Sequence, residues 1–195
     1  RSPELSAPKI TTILPTYRRP RMLRRAIRSV LGQTYPRVKV LVLDNASGDE
    51  TAGVVAELAK DDQRIEYHCH EGNIGAFANF QYGLRQVETP FFSFLSDDDI
   101  LMPHCFEVAL KGFERHPDAM FSGGMTVDVD ASGRIIRAPR MLGLAEGLHE
   151  PPDGGLQLFP YINFIWTAIL FRRKAVDRVG FLSEEAALNF DTEFE

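Results

Sequence analysis

Cysteine is scarce in this 195-residue sequence, and both an apolar leader and a strong net charge are absent. The two cysteines, Cys69 and Cys105, exclude a disulfide scaffold and lack the spacing of metal ligands, so we expect reduced thiols in a cytoplasmic protein. The polar residues 1–8 lack the apolar stretch of a signal peptide, and we interpret them as a linker or a remnant of cloning.

The composition excludes further classes of protein. Hydrophobic residues make up 44% and charged residues 25%, which are proportions of a globular chain and not of a disordered or collagen-like one. The net charge of −5 argues against nucleic acid as a partner, because phosphate neutralisation requires a basic surface. The uncharged residues 154–171 are numerous enough to span a bilayer, but Pro160 and Asn163 among them favour a buried core.

Acidic residues are absent between Leu5 and Leu43, and this part of the chain is rich in basic ones. A basic block in an acidic protein suggests an anionic ligand or an anionic surface nearby, such as the inner face of a membrane in peripheral contact. A solvent-exposed helix face is the alternative. The basic residues are Lys9, Arg18, Arg19, Arg21, Arg24, Arg25, Arg28, Arg37 and Lys39.

Short apolar runs alternate with amphipathic segments through the first half of the chain. This alternation predicts an α/β fold with a mostly parallel sheet flanked by helices, in which ligands bind beyond the carboxyl ends of the strands. No linker divides the chain after residue 8, so we expect one domain over residues 9–195. Strands are predicted at 9–14, 38–43, 64–69, 91–95, 119–130, 134–137 and 166–171, and helices at 20–32, 49–59, 77–87, 103–115 and 174–179.

The second predicted strand ends in the polar segment DNASGD, which starts at Asp44 and Asn45. A carboxylate and an amide at a strand end can bind a ribose or the edge of a base. The same residue types favour turns, and Ser47 or Asp49 is expected to cap the following helix. For Asp44 both interpretations stay open.

Three adjacent carboxylates, Asp97, Asp98 and Asp99, follow the fourth predicted strand. Such neighbours raise one another's pKa unless a cation or hydrogen-bond donors offset the repulsion. Mg²⁺ and Mn²⁺ prefer oxygen ligands, usually one or two carboxylates together with substrate phosphates. A helix N-terminus capped by Asp99 is the alternative, but a cap needs only one carboxylate. We therefore favour a divalent cation.

The loop after the third predicted strand adds polar groups at the same edge of the sheet. It holds Asn73 and Gly75, followed by Asn79, and matches neither a dinucleotide-binding fingerprint nor a Walker A loop. His68 and His70 share one face of the strand, but two histidines make a poor zinc site. We expect a structural or surface role for both histidines.

The assembled strand ends resemble the family 2 glycosyltransferases, which are inverting enzymes of the GT-A fold. The resemblance implies a Rossmann-like, mostly parallel sheet with a smaller mixed C-terminal part. Residues 9–100 would then form the nucleotide-binding half, and residues 101–195 an acceptor-side half that we expect to be incomplete at its end. The matching segments, in order, are ILPTYRRPRMLRRAIRSVLGQTYP, VLVLDNASGDET, EGNIGAFANFQYGL, FFSFLSDDDILMP, AILFRRKAVDRVGFLSEE and FDTEFE.

The resemblance implies a site for a nucleoside diphosphate sugar, with a role for each matching residue. Pro15, Thr16 and Tyr17 would line the nucleotide pocket, with Arg18 nearby, and Asp44 and Asn45 would face the base. Asn73, Gly75 and Asn79 would complete the wall around the nucleoside, and Asp97 would reach the ribose. Asp98 would bind the Mn²⁺ or Mg²⁺ that bridges the phosphates, and Asp99 would hold metal-bound water or cap a helix.

Two positions depart from the family pattern. Asn45 stands where many members have a second carboxylate, but its amide oxygen can still accept from a pyrimidine N3–H. A UDP- or dTDP-sugar is therefore the expected donor. Ser96 replaces the first Asp of the common D-x-D-D pattern, so metal binding would rest on Asp98 with Asp97 or Asp99.

The resemblance also implies inverting transfer to a hydroxyl of a glycan or lipid-linked acceptor, in cell-wall or other polysaccharide synthesis. Asp191 matches the general base of the family, with Glu193 as the second candidate and a helix cap as the alternative role of Asp191. A nucleotide-sugar or glycan binding module without activity is the alternative function. A nucleotidyltransferase ranks last, because the loop after the first strand contains no glycine.

Overall fold

A computed structural model describes residues 10–124, 126–130, 132–138, 147–150, 167 and 169–181 of the chain. The strands are β1 (Ile10–Thr16), β2 (Val38–Asp44), β3 (Ile65–Cys69), β4 (Phe91–Phe94), β5 (Phe121–Gly123), β6 (Asp128–Val129), β7 (Ile135–Arg137) and β8 (Ile169–Arg172). The helices are α1 (Pro20–Leu31), α2 (Thr51–Ala59), α3 (Ala76–Arg85), α4 (Cys105–Arg115) and α5 (Arg173–Val179).

A six-stranded sheet forms the centre of the fold, in the order β3-β2-β1-β4-β8-β5. Strands β1 to β4 are parallel, whereas β8 runs antiparallel to both β4 and β5. Thr16 pairs with Asp44, so β1 and β2 end side by side. β2 and β3 are added on one side of β1, and β4 is added on the other side. The strand order therefore reverses between β1 and β4, and a parallel sheet has a crevice at the carboxyl ends of its strands at such a point. The predicted α/β class with a mostly parallel sheet is confirmed.

Helices cover both faces of the sheet, as the apolar patterns predict. In β2, Val40 and Val42 pack in the layer of α1, α2 and α4, while Leu41 and Leu43 pack in the layer of α3 and α5. A strand that is buried on both faces needs a continuous apolar run, and residues 40–43 of β2 supply one after Lys39, which pairs with Glu66. The sheet is therefore a rigid support for the polar residues at its carboxyl edge.

Within its described residues, the second half of the chain differs from the prediction in its strands, and β8 covers Ile169–Arg172 where a strand over 166–171 is predicted. The strand predicted over 119–130 is wrong as a single element, because β5 joins the main sheet while β6 pairs with β7 in a separate hairpin. β5 ends at Gly123 and Gly124 follows it, and glycine weakens a strand interior. The hairpin turns at Gly133, whose φ of 85° suits glycine.

No helix within the described ranges is long and apolar enough to cross a membrane. Of the uncharged residues 154–171, only Thr167 and the first part of β8 are among the described residues, and Ile169 and Leu170 are buried there.

Candidate active site

Thr16 and Asp97 meet at the crevice between β1 and β4. The Thr16 hydroxyl donates to Asp97 Oδ2 over 2.7 Å, and only 1% of Asp97 is exposed. Burial raises the pKa of Asp97, since a charged carboxylate is poorly solvated there, while the Thr16 hydrogen bond and the Arg19 charge act in the opposite direction. The two residues predicted for the nucleotide pocket and the ribose therefore lie in direct contact.

Arg19 links the two carboxylates that follow β4. Its Nη1 donates to Asp98 Oδ2 over 2.9 Å and lies 3.4 Å from Asp97 Oδ1. The Asp98 side chain is 45% exposed, so it can reach a ligand in solvent, whereas Asp97 is enclosed. Sequence reasoning counted Arg19 only as part of the basic block and did not assign it to the site.

Asp99 turns to another partner. The Thr167 hydroxyl donates to Asp99 Oδ2, and burial raises the pKa of Asp99 against the effect of this hydrogen bond. The helix-cap alternative for Asp99 is wrong, because α4 begins six positions later, after His104, and has no side-chain cap. The three adjacent carboxylates thus have three different environments: enclosed, half-exposed and bonded to Thr167.

Asp44 lies buried at the end of β2 with both carboxylate oxygens engaged. The backbone N–H of Ser47 donates to Oδ1 over 2.8 Å, and the Tyr67 hydroxyl donates to Oδ2 over 2.6 Å. Burial and this hydrogen bond to Asp44 raise the pKa of Tyr67. A carboxylate oxygen has more than one lone pair, so these bonds hold Asp44 in place and leave acceptor capacity.

Asn45 fastens the loop after β3 to the end of β2. Its Oδ1 accepts from the Ile74 N–H and its Nδ2 donates to Asn73 Oδ1, both over 2.9 Å. Asn73 Oδ1 also accepts from the Gly75 N–H. Because the backbone groups can only donate, they fix which way both amides point. The residues predicted for the base and the nucleoside wall are therefore connected to one another.

Asn79 lies in the first turn of α3 and is buried between two strands' ends. Its Nδ2 donates to the Leu43 carbonyl over 3.0 Å, and its Oδ1 lies 2.9 Å from His70 Nε2. Gly75 precedes α3 with a φ of 84°, which L side chains rarely adopt. His70 and His68 pack with the Tyr82 ring, which agrees with the structural role expected for the histidines.

Arg18 takes a left-handed backbone conformation, with a φ of 56°, just after the end of β1. Its backbone N–H donates to Ser47 Oγ over 2.9 Å and its Nε donates to the Ser47 carbonyl over 3.2 Å. Its guanidinium lies 5.0 Å from the centre of the Tyr17 ring. Ser47 thus joins the loop after β1 to the loop after β2 and does not cap α2. Asp49 Oδ1 accepts from the N–H of Thr51, the first residue of α2, but the N-cap position is Glu50, which forms no side-chain cap. Pro15 is buried and Tyr17 half-buried.

Asp191 and Glu193 lie outside the described residues, so their predicted roles stay predictions. Sequence reasoning missed four side chains that hold the site together, namely Arg19, Ser47, Tyr67 and Thr167. Only Ser47 had a signal in the sequence, as a polar residue of the loop after β2.

The donor set suits a cation that also binds a substrate. Within the described part of the chain, no three His, Cys, Asp or Glu side chains come together as a metal site. A cation that takes one or two carboxylates and the phosphates of its substrate needs no such cluster. Asp98 supplies an exposed carboxylate at the carboxyl edge of the sheet. The residues present therefore fit a divalent ion that is also bound by the phosphates of a diphosphate.

Sequence comparison matches residues 11–180 to the profile described as Glycosyl transferase family 2. A Campylobacter jejuni protein named GalNAc(5)-diNAcBac-PP-undecaprenol beta-1,3-glucosyltransferase is 38% identical over 96 residues, which are 49% of this chain and 31% of that protein. An uncharacterised glycosyltransferase of Rickettsia conorii is 31% identical over 134 residues, 69% of this chain and 22% of that protein. The chain spans less than half the length of the curated relatives it matches.

Solved glycosyltransferases share the fold. S. aureus TarS 1-349 in complex with UDP-GlcNAc aligns with a TM-score of 0.67 at 18% identity, over 87% of this chain and 47% of that one. The mannosyltransferase PcManGT from Pyrobaculum calidifontis, in complex with GDP-Man and Mn²⁺, gives 0.64 at 18% identity, over 90% and 48%. These likenesses confirm the predicted GT-A architecture.

Proposed function

The chain belongs to glycosyl transferase family 2, and on that premise we propose that it transfers a sugar from a nucleoside diphosphate sugar to an acceptor hydroxyl, with inversion and with the help of a divalent cation. One observation carries the proposal. Asp97, bonded to Thr16, lies enclosed at the switch point of the sheet, and the exposed Asp98 is next to it. Open α/β sheets bind their ligands at this place.

The nucleoside side of the pocket would be formed by the ends of β1, β2 and the loop before α3. Pro15, Thr16, Tyr17 and Arg18 would line the nucleotide, and Asp97 would accept from a ribose hydroxyl. Asn45 Oδ1 keeps a second lone pair beside its bond to Ile74, and this lone pair supports the proposal that it accepts from the N3–H of uracil or thymine. Asn73, Gly75 and Asn79 would complete the wall.

Mn²⁺ or Mg²⁺ would be held by Asp98, with Asp97 or Asp99 contributing. When bound, such an ion would supply a Lewis acid for the charge that develops on the leaving diphosphate. Asp98→Asn should therefore remove the metal-dependent part of nucleotide binding while the fold stays intact, because the side chain is half-exposed. Isothermal titration of UDP with and without Mn²⁺ measures this. Unchanged binding in Mn²⁺ would remove Asp98 from the site.

A carboxylate must take the proton from the acceptor hydroxyl on the face of the sugar opposite the leaving group. We propose Asp191 for this role and Glu193 as the second candidate. The hydroxyl oxygen forms the new bond to the anomeric carbon, and the electron pair of the broken bond leaves with the nucleoside diphosphate.

A lipid-linked or glycan acceptor is proposed from the relatives. The name of the Campylobacter jejuni protein states an undecaprenol-linked acceptor, and polysaccharide synthesis next to a membrane would suit such a substrate. The free thiols of Cys69 and Cys105 support a cytoplasmic location for this chemistry.

A thermal-shift panel of UDP, dTDP, GDP and ADP, each with and without Mn²⁺, tests the proposal. Ligands that bind only the native state raise its unfolding temperature, and we expect the largest shifts with UDP or dTDP plus Mn²⁺. No shift with any of the four nucleotides would refute the function. Slow hydrolysis or transfer from the matching nucleotide sugar separates an enzyme from a binding module, which would bind the nucleotide without turnover.

A further inference from the structure

Arg19 is a charged side chain at the candidate site, and it has no role yet in the proposed reaction. It stands between the left-handed Arg18 and the first turn of α1, with one third of its side chain exposed. Its Nη1 contacts the enclosed Asp97 and the exposed Asp98 at the same time. A single cationic nitrogen thus serves two carboxylates, one of which is the proposed cation ligand.

The two contacts have different physical consequences. Asp97 is nearly inaccessible to water, so a nearby positive charge offsets part of the cost of burying its negative charge. Asp98 is 45% exposed, and water alone can solvate it. The contact to Asp98 is therefore weak enough to exchange, since exposed ion pairs contribute little to stability.

We propose that Arg19 is a placeholder cation, which means that it occupies Asp98 in the absence of substrate and moves to the diphosphate when the donor binds. This proposal rests on the proposed function. A guanidinium forms two parallel hydrogen bonds with a phosphate, which makes the diphosphate a strong competitor for Arg19. As long as Arg19 stays on Asp98, its charge repels a free divalent cation from the same carboxylate.

The consequence is positive coupling between diphosphate and cation. A diphosphate that attracts Arg19 leaves Asp98 free to accept the cation, so each ligand increases the affinity of the other by the same factor. Arg19 thereby reduces loading of the site with a cation alone. Part of this coupling comes from the movement of the Arg19 side chain. The coupling factor should therefore become smaller when Arg19 is replaced by an uncharged residue.

Titration of the protein with Mn²⁺ alone, followed through the electron paramagnetic resonance signal of free Mn²⁺, tests the first half. Arg19→Gln should bind Mn²⁺ about fivefold more tightly than the unchanged protein, because both the competing ion pair and the repulsion are removed. Arg25→Gln removes the same charge from an exposed position further along α1 and should leave the affinity unchanged. Adding Asp98→Asn to Arg19→Gln should abolish the gain.

Metal-free titration with UDP tests the second half. Arg19→Gln should weaken UDP binding, and the factor by which UDP tightens Mn²⁺ binding should become smaller than in the unchanged protein. If circular dichroism shows that Arg19→Gln is unstable, both titrations are repeated with Arg19→Met, which preserves the aliphatic part of the side chain.

An unchanged or weaker affinity of Arg19→Gln for Mn²⁺ would overturn the placeholder role. Tighter Mn²⁺ binding with unchanged UDP binding would overturn the movement to the diphosphate. These outcomes are distinct from failure of the proposed function, in which neither the unchanged protein nor any variant binds UDP, dTDP, GDP or ADP. The titration with Mn²⁺ alone still decides the competition at Asp98 in that case.

Discussion

Burying the charged carboxylate of Asp97 lowers the free energy of unfolding, and this effect can be measured separately from ligand binding. Burial raises its pKa in the folded protein, whereas in the unfolded chain it titrates near the ordinary value of about 3.9. Between these two pKa values the folded state holds more protons than the unfolded state, so folding stability falls as pH rises through this window. Below the window Asp97 is protonated in both states and contributes no pH dependence.

Asp97→Asn should therefore gain stability relative to the unchanged protein as pH rises. The amide keeps an oxygen for the Thr16 hydroxyl but carries no charge to bury. Urea denaturation in metal-free buffer at a series of pH values measures the difference, which should grow above about pH 4 and then level off. Asp118→Asn, at an exposed carboxylate, controls for the loss of one negative charge. A difference that stays flat or shrinks with pH would contradict the argument.

At the scale of residues, the carboxylates of the candidate site could be predicted from the sequence, whereas their distant partners Arg19 and Thr167 could not. Asp44 and Asp97 follow buried apolar strands, and this local pattern indicates a strand end. Arg19 and Thr167 lie 78 and 68 positions away from the carboxylates they contact. No local periodicity connects positions that are so far apart, and such pairs form only when the sheet assembles.

At the scale of elements, α3 packs unusually closely on the sheet. A Cβ at Gly83 would lie 2.5 Å from side-chain atoms of Ile13 in β1 and Leu43 in β2, which is closer than real Cβ atoms come. Gly75 directly precedes this helix and Asn79 lies in it, so the position of α3 sets the proposed nucleoside wall. Because Gly83 has no side chain, α3 can pack close to the sheet, and this distance sets the position of the proposed nucleoside wall.

Gly83→Ala should destabilise the protein by about 1–3 kcal/mol, which is the usual cost of overpacking. Gly53→Ala is the matched control, because Gly53 is exposed in α2 and a methyl group added there would meet no atom within 4 Å. Alanine favours a helix over glycine by about 0.5–1 kcal/mol, so the control should stabilise. Urea denaturation of both variants gives the two signs, and equal signs would refute the close packing of α3.

The boundaries of the elements in the first half could be predicted because the apolar residues there form clear runs or helical patterns. β2 is apolar on both faces and α1 buries Leu23, Ile27 and Val30 on one side. In the second half the short strands β5 and β6 belong to different sheets, although the sequence pattern across them predicts one extended strand. Strand assignment there depends on the partner strand, and the partner of β5 is β8, far along the chain.

At the scale of the whole molecule, the basic residues are concentrated on α1 while the net charge is −5. Arg24 is paired with Glu57 over 2.6 Å, whereas Arg21, Arg25 and Arg28 are exposed. These three point outward from the layer that contains α1, α2 and α4. An anionic membrane would contribute about 1 kcal/mol for each arginine near its surface, or about 3 kcal/mol for the three.

This sum decides against α1 as a sufficient membrane anchor. About 3 kcal/mol corresponds to roughly a hundredfold preference, and even a single myristoyl chain, with a binding constant of about 10⁴ M⁻¹, attaches only marginally. We therefore expect no flotation of the protein with phosphatidylglycerol vesicles at about 0.1 M salt, where exposed charges are screened beyond about 10 Å. Flotation at that salt would contradict the sum.

If the protein does float, Arg21, Arg25 and Arg28 are changed together to Gln. Loss of flotation in this triple variant would assign the membrane contact to α1, and persistent flotation would assign the contact to another surface. The same triple change should leave UDP affinity unaltered, because the three side chains make no contact with the carboxylates of the site among the described residues.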